Sequence, residues 1–470
     1  MRAFGAPDST CSRPSLGIEC NNISSRSGSP DSRYNACDRR VGYLMNRNFA
    51  LLGLFLVLAC STVSHATVFS GRVGVSSYLW ERSELDSTDT RHWQNSGTLG
   101  LRLGRIAGND LEIATTMRGR LDSRSQGDNV DDYHVYDLYA RWRKLANALD
   151  MTVGRHRLSW ASGSVGIDGG SAELRFLKGW EVGGYLGSLA PDDGRFKSID
   201  FDEGHAVGAR LGNRSKSLGT VFLTFSEKRI TRSYGAVEVD NLATRNFGID
   251  WRKTIVSFGS VYGNLLYDQP RMRIARGHLA ARWNATSTVS IQGQYRYRQP
   301  SIDYNSIFWV FGDSEYREGR LRLYVRVTPD WTLTVGGALV TLGDNDAQRI
   351  DLGVSHRYGS VMLHTKSGAA GTTTALSGDI TYPVSEKWTL RAGSQYSSFE
   401  LIEEQEESSS EKSAWAGVRW QWMPQSSLDL EAQYLLQDLK TMTSFAGDES
   451  DIRFIARFSW WFFNRLGGQN

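Results

Sequence analysis

Fourteen arginines recur at alternate positions of extended stretches: Arg102, Arg118, Arg120, Arg141, Arg143, Arg296, Arg298, Arg320, Arg322, Arg326, Arg391, Arg419, Arg453 and Arg457. A guanidinium keeps its charge at any physiological pH and offers a planar fork of donors that matches carboxylates and phosphates. Stacked on neighbouring strands, such groups form a cationic ladder, the device by which rings of charge set ion preference in pores. Acids share the same phase at Glu112, Asp122, Asp137, Asp429 and Glu431. That allows a second reading, in which acids and arginines neutralise one another and brace a wall.

Other reactive side chains are less organised. His92, His134, His156, His205, His278, His356 and His364 fall in no nucleophile–base motif. Asp200, Asp202, Glu203 and His205 lie close together in sequence, as either a solvated loop or a metal site. Glu403 to Glu407 is a charge run followed by serines and reads as a solvated loop. No cofactor is implied.

The arginines act together only if strands hold them. In Arg320–Val340, Leu321, Leu323, Val325 and Val327 alternate with Arg320, Arg322, Tyr324 and Arg326. That is a period of two, the signature of a strand with one dry and one wet face. Thr328-Pro-Asp330 makes the turn, because proline presets φ and cannot donate to a ladder. Trp331, Leu333, Val335 and Gly337 then alternate with Thr332, Thr334 and Gly336. The unit recurs from Thr67 onward, as in Leu111–Asp122 and Tyr133–Lys144.

Connections sort by length. Short ones fall at Ala107–Asp110, Ala146–Ala148, Arg214–Ser217, Asn284–Ser287, Thr328–Asp330, Tyr358-Gly359, Val384–Lys387 and Pro424–Ser427. Long polar ones fall at Ser123–Asp132, Trp160–Gly170, Pro191–Gly204, Ile230–Asn241, Ser301–Ser314, Ile402–Ser413 and Asp438–Ser450. A membrane barrel with short periplasmic turns and long outer loops has this asymmetry; a soluble sandwich has no reason for it. The pattern predicts an all-β chain, a closed antiparallel transmembrane β-barrel of about 18–22 strands. Closure is required because an open edge in lipid leaves backbone groups unpaired.

Two stretches strain the alternation. In Met151–Leu158 either face could point outward. Around Met272–Arg282, Arg271 and Arg273 fall on one phase and Arg276 and Arg282 on the other, which predicts a bulge near Gly277. Trp80, Trp142, Trp251, Trp283, Trp331, Trp388, Trp420 and Trp422 sit near strand ends, as an interfacial belt requires. The glycine-rich Trp160–Gly170 lacks the lysine and helix of a phosphate loop. It reads as an outer loop, either flexible or folded inward as a constriction.

Composition agrees with a barrel: 470 residues carry 48 glycines, 9 prolines and 11% aromatics, with a net charge of +3. No basic block is present, so nucleic acid is not a favoured partner. The four cysteines, Cys11, Cys20, Cys37 and Cys60, all precede Thr67 and offer the barrel no disulfide framework. Residues 1–44 have no structural period and read as an over-extended frame or an unusual leader. Residues 45–66 read as a signal peptide: Asn46-Arg47-Asn48, the apolar run Phe49–Ala59, then small residues ending at Ala66. Val57-Leu-Ala-Cys60 also matches a lipobox, so lipidation at Cys60 stays open. Residues 67–463 form the barrel, and 464–470 a short tail.

The final strand, Asp451–Phe463, sets Ile452, Phe454, Ala456, Phe458, Trp460 and Phe462 opposite Arg453, Arg457 and Ser459. It resembles the last strand of Gram-negative outer-membrane barrels, porins in the wide sense. The chain departs from that pattern by running on from Asn464 to Asn470. The resemblance implies insertion by the barrel assembly machinery, contact with outer-membrane lipid and lipopolysaccharide, and small solutes as cargo. It leaves a homo-oligomer open. The expected function is a channel for small polar or charged solutes with a weak anion preference. A sleeve around a partner protein and an outer-membrane hydrolase are the alternatives. An energy-coupled transporter is disfavoured, since strands begin directly after Ala66 and leave no plug.

Overall fold

The computed structural model describes residues 67–466, apart from 85–86, 107–109, 125–129, 192–193, 196, 235–236, 240, 256–257, 301–313, 369–370, 401–407 and 440–446. The leader, the signal peptide with Cys60, the Glu403–Glu407 run and residues 467–470 lie outside the described residues.

Twenty-two strands pair only with their sequence neighbours, each antiparallel, in one sheet. The first, Thr67–Glu84, pairs with the last, Gly447–Leu466, from Thr67↔Leu466 to Arg82↔Asp451. The sheet is therefore a closed barrel without a free edge. The last strand runs to Leu466, three residues past Phe463, because Thr67–Phe69 supplies partners for it. Two three-residue strands, Arg232–Tyr234 and Val237–Val239, form a separate small hairpin.

The alternation decides which way side chains point. Leu321, Val335 and Leu339 are exposed on the outside, while Glu318, Gly336, Ala338 and Val340 on the same strands are buried. A cross-strand pair shares a face, so Leu321↔Gly337 is an outward pair and Arg320↔Ala338 an inward one. The bulge in Arg273–Asn284 falls at Ala275, two residues from Gly277, where Leu266 pairs with Arg276 but Tyr267 pairs with Ile274. It puts Arg276 and Arg282 on the inner face and lets Ile274 and Leu279 stay outside.

Every connection of more than seven residues lies at one end: residues 190–203, 231–241 and 299–315. The opposite end has turns of two to six residues. The long-loop end is not uniformly long, however, since 161–162, 269–272 and 343–344 also lie there. Three expected loops contract. Strands run into Ser123–Asp132 as far as Arg124 and from Val130, into Ile402–Ser413 from Ser408, and into Asp438–Ser450 as far as Leu439 and from Gly447. Such rims have water on both faces, so a strand there carries no apolar alternation to betray it.

Of the eight tryptophans expected near strand ends, seven cluster near the short-turn end. Trp142, Trp251, Trp283, Trp331, Trp388 and Trp420 are exposed on the outer face, and Trp422 stacks on Phe458 at 5.8 Å. Trp80 departs from the belt: it pairs in register with His92, stacks on it at 4.6 Å, and faces inward.

Candidate functional site

The expected loop Trp160–Gly170 is instead the tip of a β-hairpin that leaves the wall. Its strands are Leu149–Trp160 and Gly163–Phe176, joined by Ala161-Ser162. Pairing with the preceding strand stops at Leu138↔Arg155, and with the following strand at Ile167↔Leu189. Beyond those points its two strands pair with each other, from Arg155↔Asp168 to Trp160↔Gly163, and Ala190 N–H still donates to the Gly166 carbonyl at 2.9 Å. Glycine makes the departure possible. Gly154 has φ 116°, a conformation L side chains avoid, and a Cβ there would overlap the Leu138 carbonyl oxygen. A Cβ on Gly169 would overlap the Leu186 carbonyl oxygen. The His156 ring braces the bend, lying 2.9 Å from both the Gly154 carbonyl oxygen and Ser171 Oγ.

The tip docks on the inner wall several strands away. Ser162 N–H donates to Thr224 Oγ1 at 2.9 Å, and its carbonyl accepts from Ser226 Oγ at 3.0 Å and Asn246 Nδ2 at 3.2 Å. Arg276 Nη2 donates to the Ala161 carbonyl at 3.4 Å. The seat exists because residue 248 is glycine; a Cβ there would sit on the Ser162 amide nitrogen. Ser162 is 1% exposed. Ile167 of the hairpin is fully buried and clusters with Tyr185, Leu189 and Ala206 of the neighbouring strands. Trp160 meets Tyr185 edge-on at 4.9 Å.

The gap left in the wall is closed by the 190–203 connection. Arg155 grips Asp168 with two parallel bonds, Nε to Oδ1 at 2.7 Å and Nη2 to Oδ2 at 2.6 Å. It also donates to the Arg195 and Lys197 carbonyls at 2.8 and 2.7 Å. Val135 N–H donates to the Gly194 carbonyl at 2.7 Å, so the connection takes the ladder position the hairpin vacated. One guanidinium, 6% exposed, thus ties the hairpin base to the substitute strand.

The register places the fourteen arginines on the inner face. Most meet an acid. Arg102 and Arg143 share Glu112 at 3.4 and 3.1 Å. Arg118 and Arg120 stand opposite His134 and Asp132. Arg141 lines a cavity of about 260 Å3 with Asp137, His156 and Glu173. Arg296 stands opposite Glu318, and Arg298 opposite Tyr316 and Arg276. Arg320 and Arg322 lie 3.5 and 3.4 Å from Asp351. Arg391 and Arg419 share Asp429 Oδ1 at 2.9 and 2.8 Å, and Arg457 is its cross-strand neighbour. Arg453 reaches Asp451 at 2.6 Å. Arg326 lines a different cavity at the short-turn end.

The chain is a closed, 22-stranded antiparallel β-barrel. No protein-family model matches it, and no curated protein matches its sequence. Among solved structures it is similar to the translocation pore of the P pilus usher PapC, with TM-score 0.46 and 9% identity over 84% of this chain and 99% of that one. OccAB2 of Acinetobacter baumannii gives 0.42 and 10% over 84% and 98%. OpdQ of Pseudomonas aeruginosa gives 0.41 and 11% over 84% and 99%. At these scores residue roles do not transfer.

Three residues of the barrel's charged wall escape a reading of the arginines alone: Glu318, Arg349 and Asp351. Glu318 accepts from Arg349 Nη2 at 2.7 Å and from the Tyr316 hydroxyl, and Asp351 lies 2.6 Å from His364 Nδ1. Glu318 and Asp351 are 2% and 1% exposed. Their signal was the alternate spacing Glu318-Arg320-Arg322 and Arg349-Asp351, on one face of the two strands that flank Trp331–Leu342. The acidic cluster at 200–205 forms no metal-holding group among the described residues. There His205 Nδ1 lies 2.9 Å from the Phe201 carbonyl oxygen, and its ring stacks on Phe201.

Proposed function

We propose that the barrel is an outer-membrane channel for small polar or charged solutes, with the inward hairpin 155–168 as its constriction and a weak anion preference. The observation that carries this reading is the docked tip: Ala161-Ser162 turns into the lumen and is bonded to the inner wall several strands on. A closed 22-stranded wall encloses more space than its own inward side chains fill, so an inserted element sets the bore. The exposed apolar outer face suits lipid, and the charged inner face suits water. In this reading the short turns are periplasmic, the long loops face outward, and residues 45–66 direct export.

A sleeve is less well supported, because the hairpin occupies space a threaded partner would need. For a hydrolase, the His156–Ser171 contact is the relevant pair, yet both His156 nitrogens are engaged at the hairpin bend.

Gly248→Val tests the reading. The added side chain pushes the tip off its seat while the outer face is untouched. Single-channel conductance in planar bilayers should rise several-fold and become noisier. Unchanged conductance would mean the hairpin does not set the bore, and silence of the parent protein at all voltages would sink the channel itself.

A further inference from the structure

Carboxylates are distributed unevenly over the inner face, and one cavity has none. It lies at the short-turn end, measures about 1000 Å3, and is lined by Arg252, Arg282 and Arg326 together with neutral side chains. The register puts Arg282 opposite Ser260 and Arg326 opposite Thr332, all on the inner face. Among the described residues, none of the three arginines has a carboxylate within ion-pair distance. Elsewhere arginines converge on a shared acid: Glu112, Glu181, Glu227, Asp351 or Asp429.

We propose that this cavity binds a multiply charged anion of the phosphate or sulfate class. Arg282 is held in place by neutral partners. Its Nη2 donates to Ser290 Oγ at 3.1 Å, and its guanidinium lies over the Tyr324 ring at 5.6 Å. Such contacts fix a guanidinium without cancelling its charge. Three like charges facing one concave space repel one another until an anion enters, and low-dielectric walls focus their field. Their forks and the hydroxyls of Ser260, Ser290 and Thr332 supply donors to several oxygens at once, which favours a tetrahedral polyanion over a halide. The inference rests on the channel reading only in needing a water-filled lumen, and the binding arm of its test does not need conduction.

Purified full-length barrel in detergent is titrated calorimetrically with inorganic tripolyphosphate at low salt. The same probe is then added to either side of a planar bilayer. The proposal expects saturable binding and block at lower concentration from the short-turn side. Arg252→Gln/Arg282→Gln/Arg326→Gln should weaken both by about tenfold or more. Thr332→Asp, which keeps all three arginines and adds a carboxylate to the cavity, should do the same. Arg320→Gln, in the neutralised wall, should change binding by no more than about twofold. An unchanged Kd in the triple variant or in Thr332→Asp overturns the site, as does equal loss in Arg320→Gln. Binding by a silent protein upholds the site and defeats the channel; conduction without binding does the reverse.

Discussion

Two arcs of the barrel bury different side chains, although ion pairs such as Arg210–Glu181 and Arg349–Glu318 occur in both. From Ala161 to Ala275 most buried positions are apolar (Ala161, Ile167, Tyr185, Leu189, Ala206, Ala243, Leu266 and Ala275), beside Ser162, Glu181, Thr224 and Asp268. From Glu318 to Asp451 polar groups are the majority: Glu318, Asp351, Ser426, Ser427, Asp429 and Asp451 are buried, against Ala338 and Val340. The hairpin explains the difference. Where it docks, water is displaced and apolar side chains find partners inside the barrel. Where nothing docks, inward side chains face a wet lumen and are ordered by ion pairs.

The contrast can be broken from either side. The largest loss is expected at Asp351, which lies within ion-pair distance of Arg320, Arg322, Arg349 and His364. Asp351→Leu leaves several cations short of an acid and should cost about 3–4 kcal/mol, read from the urea midpoint of the folded barrel in detergent. A shift below about 1 kcal/mol would show that lumen water, not Asp351, screens those charges. Ile167→Ala comes next. It opens a cavity under the hairpin and should cost about 2–3 kcal/mol, with an increase in open-channel noise that Asp351→Leu lacks. If both variants raise noise equally, the arcs are not separate. The smallest effect belongs to an exposed pair at the short-turn end. Arg357 and Asp330 lie 3.8 Å apart with both side chains in water, so Arg357→Ala should move the midpoint by about 0.5 kcal/mol or less.

The sequence was most legible where one face is dry. Alternation in Arg320–Val340 gave both strands, the turn and the facing of every side chain, because a one-residue slip would invert the apolar set. The conflict in Met272–Arg282 located a bulge to within two residues, since a charge on the outer face is costly. The inward hairpin was not legible as a hairpin. Trp160–Gly170 is rich in glycine and serine because its backbone bends and docks tightly, and that composition is also a loop's. Likewise Arg326 and Arg322 share a strand and a phase, yet only cross-strand register shows that one meets Asp351 and the other an acid-free cavity.

The seam between Thr67–Glu84 and Gly447–Leu466 carries a kinetic consequence. Its partners lie about 400 residues apart, so no part of it can form while the chain is incomplete. Every other strand pairs with a near neighbour and can zip locally. The entropy of bringing such distant ends together grows only logarithmically, to about 5 kcal/mol, which the long run of seam hydrogen bonds outweighs once begun. The obstacle is therefore timing rather than equilibrium. Until the seam closes, two long strands present open edges ready to pair with any other chain. Refolding should be limited by that last event, and a partner able to template one edge would hasten it most.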